Sequence, residues 1–291
     1  MARTNNIQLF KTYIDQLDDV YKYSSKTAVL ESNAALVKNG ASASEFIVPK
    51  IDMDGLGDYS RSDGYKAGKV DLTNETVKCD FDRGRVFTID AMDNEETAGV
   101  AFGRLAAEFI RTKVVPELDA YRFAKYAKKA GKKEAAALAD GSAVMTAITN
   151  AITHMDDAEV PEEGRYLFIT PAHLNAIKSL DTTKSRELLA TLEGRIIKVP
   201  QTRFYSAIDQ LDGTTGGEEA GGYKKNTSAK DLNFMMLHKS ALIQFSKHLV
   251  TKIVTPEENQ KSDGWLFFYR SYGIAEALEN KVNGIYVHTA A

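Results

Sequence analysis

The chain has 291 residues, of which 43% are apolar and 26% are charged, and this composition is typical of a folded globular protein. Its 37 Lys and Arg residues are balanced by 40 Asp and Glu residues, a formal net charge of −3, which argues against a dedicated nucleic-acid-binding protein because such proteins carry a basic excess. The single cysteine, Cys79, excludes an internal disulfide. No apolar run approaches the roughly 18 residues of a transmembrane helix, so no membrane partner is predicted.

Residues 1–39 are polar, with a small set of apolar residues at helical spacing. The set consists of Ile7, Phe10, Ile14 and Leu17, which we call the apolar stripe. Their spacing predicts a short amphipathic helix over residues 5–20, followed by an extended arm. The stripe is too narrow to form a core by itself, so we expect it to pack against another element.

The next segment, residues 40–92, is rich in strand-forming sequence. β-Branched and aromatic residues dominate EFIVPKIDM, VDLTNETVKCDF and RVFTID, and a polar, glycine-dotted tract separates the first two. The pattern predicts a long β-hairpin with a mobile tip. The hairpin contains little that forms a core, so it leans either on its own subunit, as an ordinary surface hairpin does, or on a neighbouring molecule. The pattern alone does not distinguish these two interpretations.

A long helix is predicted over residues 94–130. Asn94 is a suitable N-cap, and apolar residues recur at helical spacing from Phe102 to Tyr121. At about 1.5 Å per residue, such a helix is about 50 Å long, much longer than the average helix of about 11–12 residues. Pro116 is expected to kink the helix or to split it in two.

From residue 142 onward, helical and strand patterns alternate, which predicts a mixed α+β protein. SAVMTAITNAITHM is helical, RYLFIT is a strand, PAHLNAIKSL begins a second helix at Pro171, and GRIIKVP is another strand. Residues 212–228 contain five glycines and predict a long flexible loop. The remaining apolar runs, NFMMLHKSALIQF, HLVTKIV, WLFFYRSYGIAEAL and GIYVHT, predict strands.

Sequence signals for catalysis are missing. The chain has no phosphate-binding GxxxxGK[ST] loop, no GxSxG nucleophile elbow and no histidine spacing typical of a metal site. We therefore predict no catalytic, cofactor-binding or metal-binding residues, and no enzyme activity. The features that stand out are the arm, the hairpin and the glycine-rich tract, which suit a subunit that clasps several neighbours.

A basic run lies towards the C-terminal end of the predicted long helix. Its members are Arg122, Lys125, Lys128, Lys129, Lys132 and Lys133. These cations would contact DNA phosphates without sequence preference. A solvated helix end, where cations offset the helix dipole, explains the same run equally well.

Taken in order, these segments resemble the major capsid proteins of tailed phages and prophages, which have the Hong Kong 97-type fold. The resemblance is carried by VDLTNETVKCDFDRGRVFTIDAMDNEETAGVAFGRLAAEFIRTKVVPELDAYRFAKYA, RYLFITPAHLNAI and GIYVHT. It implies an α+β fold with an N-terminal arm over residues 1–39, an extended E-loop hairpin over 40–92, a spine helix and peripheral (P) domain over 93–141, an axial (A) domain over 142–240, and a return to the P-domain sheet over 241–291.

The same resemblance implies a function. The chain would self-assemble as hexamers and pentamers into an icosahedral shell around double-stranded DNA, with a portal protein and a separate scaffolding protein as partners. It would be a virion component assembled in the host cytoplasm. Because the arm starts so early in the chain, we expect no cleaved internal scaffold segment. The basic run is expected to face the DNA, and the residues expected to contact neighbouring subunits are Phe46, Ile51, Tyr59, Tyr65, Lys66 and Lys69.

Two alternatives stay open. An encapsulin-type compartment has the same fold and encloses enzymes instead of DNA. A hydrolase or transferase on an α/β domain at residues 142–260 would need a convergent polar pocket, for which the sequence offers no catalytic triad.

Overall fold

The computed structural model describes residues 25–32, 38–39, 45–62, 64–92 and 100–291, with the backbone alone described at 38–39 and 100–104. The helix predicted over residues 5–20 and the N-cap predicted at Asn94 lie outside the described residues.

The described ranges contain both strands and helices, which confirms the predicted α+β class. The strands are β1 (Lys38–Asn39), β2 (Glu45–Met53), β3 (Val70–Lys78), β4 (Phe81–Asp90), β5 (Lys132–Ala135), β6 (Arg165–Ile169), β7 (Ile196–Lys198), β8 (Ile208–Leu211), β9 (Gly222–Lys225), β10 (Leu232–His238), β11 (Leu242–Val254), β12 (Gly264–Ala277) and β13 (Ile285–Thr289). The helices are α1 (Val100–Phe109), α2 (Val115–Lys129), α3 (Gly141–Asp157), α4 (Pro171–Leu180) and α5 (Thr183–Thr191).

A five-stranded sheet with the order β5-β13-β10-β6-β7 carries much of the core. Its strand β10 is buried along its whole length, and alternate residues point to opposite faces. Phe234 and Met236 pack with residues of α3, α4 and α5, whereas Met235 and Leu237 pack with residues of α2. Both faces of β10 are therefore covered, which accounts for its continuous apolar run.

This sheet corrects two of the predicted domain boundaries. β13 lies between β10, to which it is antiparallel, and β5, to which it is parallel. The assignment of residues 241–291 to the sheet of the P domain is therefore wrong for β13, which belongs to the five-stranded sheet. β5 belongs to the same sheet, although its residues fall in the range 93–141 that was assigned to the P domain. The reason is burial, because the first three residues of β13 are at most 1% exposed between these two neighbours.

The predicted hairpin is confirmed for β2 and β3, which pair in register along all nine residues of each strand. The predicted range of 40–92 is too long, however, because β4 pairs with β12, and β12 pairs with β11, in a separate three-stranded sheet. The aromatic residues of β4 explain this. Phe81 is buried in the core, and the ring of Phe87 lies 4.8 Å from that of Phe109 in α1.

The long predicted helix is present as α1, a π turn at Ile110–Val114, and α2. Pro116 lies in the first turn of α2. The expected break is replaced by the π turn, and the residues on both sides of it, Phe109 and Val115, keep helical φ and ψ angles. Pro116 has no N–H to donate, and a wider turn before it accommodates this loss without ending the helix.

The glycine-rich tract is more ordered than predicted. β9 lies within residues 212–228 and pairs with β8. Gly213, Gly217, Gly221 and Gly222 have positive φ, a conformation that glycine adopts without steric cost. These glycines therefore shape a connection between two paired strands, and the prediction of a continuous flexible loop is wrong for β9.

Two further elements differ from the sequence prediction. The run NFMMLHKSALIQF forms two strands, because a 3₁₀ turn at Lys239–Ala241 separates β10 from β11. The His238 side chain begins this turn by accepting a hydrogen bond from Ser240 N at 3.3 Å. Helix α5 was not predicted, although Thr182 and Ser185 form a reciprocal capping box at its start.

The first described segment is held against α2 by a buried polar network centred on Asp119. The Asp119 carboxylate is fully buried and accepts hydrogen bonds from Ser25 Oγ (2.9 Å), Lys26 N (2.9 Å), and the N and Oγ1 atoms of Thr27 (3.2 and 2.8 Å). Arg203 forms an ion pair with the same carboxylate at 3.1 Å. A buried carboxylate is tolerated when it is paired and hydrogen-bonded, so this Asp119 network ties the N-terminal segment to the long helix.

Replacing Asp119 with Asn is expected to lower the free energy of unfolding by about 3–5 kcal/mol, because the change leaves the Arg203 guanidinium without its buried partner. Urea unfolding measures this loss. The matched control is Asp181→Asn, which removes an exposed ion pair with Arg186 and is expected to cost less than about 1 kcal/mol. Equal losses in the two variants would contradict the role of the Asp119 network.

Candidate assembly surfaces

The outer half of the hairpin presents an apolar surface to solvent. Ile51 pairs with Leu72, and Met53 pairs with Val70. Directly paired residues of an antiparallel ladder, and residues two apart on one strand, share a face of the sheet. The four side chains are between 58% and 67% exposed. They form one continuous patch, which we call the hairpin apolar face.

The opposite face of the hairpin is polar. Asp52 pairs with Asp71, and Lys50 pairs with Thr73. Lys50 also forms an ion pair at 3.2 Å with Glu279, outside the hairpin. Two aspartates directly opposite each other repel, and burying them in a contact would increase that repulsion. The apolar face is therefore the side of the hairpin that suits contact with another molecule.

The base of the hairpin is anchored within the subunit. Phe46 and Val77 are directly paired and are buried against Ile243, Phe245 and Ile274. The ring centroids of Phe46 and Phe245 are 5.2 Å apart. The expectation that Phe46 contacts a neighbouring subunit is therefore wrong, because its side chain is already buried inside its own subunit. This anchor fixes the point from which the apolar face extends.

The hairpin tip, residues 55–68, is closed by two hydrogen bonds between its flanking residues. Lys69 N donates to Asp54 Oδ2 at 2.7 Å, and Asp54 N donates to Lys69 O at 3.1 Å. Beyond this closure, the rings of Tyr59 and Tyr65 lie 4.9 Å apart, although the two side chains are 61% and 91% exposed. An exposed aromatic pair of this kind is typical of a contact surface.

Five of the six expected intersubunit contacts are exposed on the hairpin and stay predictions, namely Ile51, Tyr59, Tyr65, Lys66 and Lys69. Sequence reasoning missed four other exposed apolar residues of the hairpin, namely Met53, Leu56, Val70 and Leu72. The available signal was the alternation of apolar and polar residues in the two strands. Alternation predicts two distinct faces, but it does not show that the subunit leaves the apolar one uncovered.

The basic run divides into a buried residue and accessible ones. Arg122 is 1% exposed, and its Nη1 donates to Thr27 Oγ1 at 2.8 Å. The expectation that Arg122 faces DNA is therefore wrong, because Arg122 lies on the side of α2 that packs inside the subunit. Lys125 is half-buried and forms an ion pair with Asp80.

The other four residues of the basic run are exposed and stay candidates for contact with DNA, namely Lys128, Lys129, Lys132 and Lys133. Lys133 Nζ donates to the carbonyl oxygen of Lys128 in the last turn of α2, at 2.8 Å. This contact gives the run a second role, because a cation at a helix C-terminus offsets the helix dipole.

Burial and hydrogen bonds shift the pKa values of three groups in β3, β4 and the residue that follows β3. Burial raises the pKa of the Cys79 thiol, which keeps it protonated and agrees with a packed, unreactive cysteine. Burial also raises the pKa of Glu75, although a hydrogen bond from the backbone N–H of Glu279 opposes this effect. Hydrogen bonds from Arg270 lower the pKa of Asp82 in β4, as expected for a paired carboxylate.

Among the described residues, no group of three or more His, Cys, Asp and Glu residues is placed to hold a metal ion. No helix in this part of the chain is long and apolar enough to cross a membrane.

No protein-family model matches the chain, and no curated protein matches its sequence. Solved structures do match its fold. The capsid of cyanophage P-SCSP1u has a TM-score of 0.57 and 15% identity, over 90% of this chain and 86% of that one. The mature capsid of bacteriophage PhiM1 has a TM-score of 0.60 and 12% identity, over 86% of this chain and 82% of that one. A virus-like particle from Pyrococcus furiosus has a TM-score of 0.57 and 12% identity, over 96% of this chain and 99% of that one.

These similarities confirm the predicted fold. The chain has the α+β fold of phage capsid structures over most of its length. At 12–15% identity the shared property is the fold, and function depends on the surfaces that each protein builds on it.

Replacing Ile51 and Leu72 together with Ser is expected to leave the subunit folded and to weaken its self-association by at least about a hundredfold. Both side chains are exposed in the subunit, so little burial is lost there. Burying an apolar side chain at a contact contributes roughly 1.5–3 kcal/mol, and about 1.4 kcal/mol changes an association constant tenfold. Sedimentation velocity measures the association, and thermal unfolding checks the subunit.

The matched control for this variant is Asp52→Ser with Asp71→Ser, on the polar face of the same hairpin. This control is expected to associate like the unmodified protein. Similar losses of association in the two double variants would show that the hairpin apolar face has no special role.

Replacing the tip, residues 55–68, with Asn-Gly is expected to preserve the fold and to reduce assembly. Asp54 and Lys69 already close the ladder, and Asn-Gly forms a two-residue hairpin turn between such partners. The subunit loses no core residue, whereas the exposed aromatic pair is removed. Circular dichroism checks the fold, and normal assembly of this variant would exclude the tip as an intersubunit element.

Proposed function

We propose that the protein is the major capsid protein of a tailed phage or prophage, and that it assembles into a closed icosahedral shell around double-stranded DNA. The observation that carries the proposal is the hairpin apolar face, which is exposed to solvent although the base of the hairpin is buried in the subunit. The subunit that presents this face has the fold of phage capsids. A protein that works alone gains nothing from such a surface, whereas a shell subunit needs one.

A head-to-tail contact through the hairpin would build rings. The apolar face of one copy would bury itself on a different surface of the next copy, which is a heterologous, head-to-tail contact. Heterologous contacts close into rings when the rotation between copies permits it. Hexamers and pentamers are the rings that an icosahedral shell requires, and we infer that this contact builds both.

The remaining partners belong to the same proposal. A separate scaffolding protein would select one curvature among those that the contacts allow, and a portal protein would occupy a vertex. The packaged DNA would be held without sequence preference, by the four exposed lysines of the basic run. The protein would be a virion component assembled in the host cytoplasm, and its role would be structural, with no enzyme activity.

The alternative is an encapsulin-type shell that encloses proteins. The fold alone does not decide between these two contents, because function depends on the surfaces that each protein builds on its fold. Analysis of particles purified from the producing host separates the two functions. Long nuclease-protected DNA supports the capsid, and a co-purifying enzyme without DNA supports the compartment.

The central test is the assembly state of the purified protein. We expect rings of five or six subunits, or closed shells, in negative-stain electron microscopy and sedimentation velocity, alone or with a candidate scaffolding protein. A compact monomer at high protein concentration, with and without the scaffolding protein, would contradict the proposal.

A further inference from the structure

A large groove lies between the long helix, the β4–β12 pair and the β8–β9 hairpin. Its volume is about 1020 Å³, at the upper end of the roughly 300–1,000 Å³ typical of ligand pockets. Its floor includes Phe87, Leu105, Phe109 and Tyr269. The first three of these side chains are only partly buried, so apolar surface in the groove stays accessible. Neither the hairpin apolar face nor the basic run lines this groove.

The rim of the groove carries several cations. Arg85 of β4, Lys113 of the π turn, and Lys224 and Lys225 of β9 all line it. Part of this charge is balanced within the subunit, because Lys224 lies 3.4 Å from Glu218 and Lys225 lies 2.6 Å from Asp231. Three acidic residues also line the groove, namely Glu108, Glu117 and Asp212, against six basic ones. An apolar floor with a mainly basic rim suits an amphipathic helix that has acidic residues on its polar side.

The first described residue lies close to the wall of this groove. Ser25 Oγ is 2.9 Å from the Asp119 carboxylate, and Arg203, the ion-pair partner of that carboxylate at 3.1 Å, lines the groove. Ser25 is therefore connected to the groove lining through Asp119 and Arg203, and the preceding chain starts from this point. Residues 21–24 can span up to about 14 Å when extended, and a helix over residues 5–20 is about 24 Å long.

The sequence of this preceding segment complements the groove. The apolar stripe, formed by Ile7, Phe10, Ile14 and Leu17, matches the apolar floor. Asp15, Asp18 and Asp19 match the cations of the rim. The tether favours binding within one chain over binding of a second molecule, because a short linker gives an effective concentration on the order of millimolar.

We propose that residues 5–20 bind this groove of their own subunit, as an amphipathic helix that places the apolar stripe on the groove floor. The contact provides the packing partner that the stripe needs. It does not depend on shell formation, so it can be tested on the unassembled subunit, independently of the capsid function.

The first test is disulfide trapping in a Cys79→Ser background, which removes the natural thiol. Phe10→Cys combined with Leu105→Cys is expected to form an intrachain disulfide at a rate that does not depend on protein concentration. The matched control is Thr12→Cys with Leu105→Cys, because residue 12 lies on the polar side of the predicted helix. We expect the control to react at least tenfold more slowly, as measured by non-reducing electrophoresis and intact-mass spectrometry.

The other occupants of the groove give different products. A disulfide-linked dimer would show that the arm of a second copy enters the groove, and it would overturn the assignment to the same chain. An interchain disulfide between Met53→Cys and Leu105→Cys, without reaction of the Phe10→Cys pair, would show that the hairpin of a second copy binds there. Equal rates for the Phe10→Cys and Thr12→Cys pairs would also overturn the proposal.

A second measurement does not depend on disulfide geometry. The thiol introduced by Leu105→Cys, in the same Cys79→Ser background, is expected to react slowly with iodoacetamide. Adding Phe10→Ser and Ile14→Ser is expected to increase that rate at least tenfold, because the stripe no longer covers the groove. An unchanged alkylation rate, with unchanged thermal unfolding, would exclude the contact.

Discussion

The structure depends on one buried carboxylate, that of Asp119. Three segments that are far apart in the chain meet at it: the N-terminal segment at Ser25–Thr27, the long helix α2, and the turn that carries Arg203. A charge taken out of water costs several kcal/mol unless it is paired and hydrogen-bonded. Five donors surround this one, so the three segments are held at a single position relative to one another.

The surfaces of the molecule follow from that constraint. Thr27 also accepts a hydrogen bond from the buried Arg122, and Gln244 donates to the Thr27 carbonyl oxygen at 2.8 Å, which connects the N-terminal segment to β11. The same strand supplies Phe245 to the base of the hairpin. The hairpin therefore extends from a packed, fixed base. Preorganised projections lose less conformational entropy when they bind a neighbour.

The relation to known capsid structures is one of architecture. At 12–15% identity, few individual side chains are shared, yet a sheet buried on both faces needs only apolar residues of suitable size at its inward positions. The hairpin differs in this respect. Its apolar face and its facing aspartates have no role in the core of the subunit, so they carry information about contacts that the fold alone does not contain.

The sequence by itself determined the elements whose signal is local. The periodicity of β2, β3 and α3, the start of α4 at Pro171, and the helical character of residues 100–129 were all predicted, because each depends on neighbours within a few residues. The tertiary structure decided what depends on distant partners. The pairing of β4 with β12 joins residues about 180 positions apart in the chain, and no local pattern specifies it. The burial of Arg122 was likewise decided by packing, since a run of charges does not reveal which side of a helix faces the core.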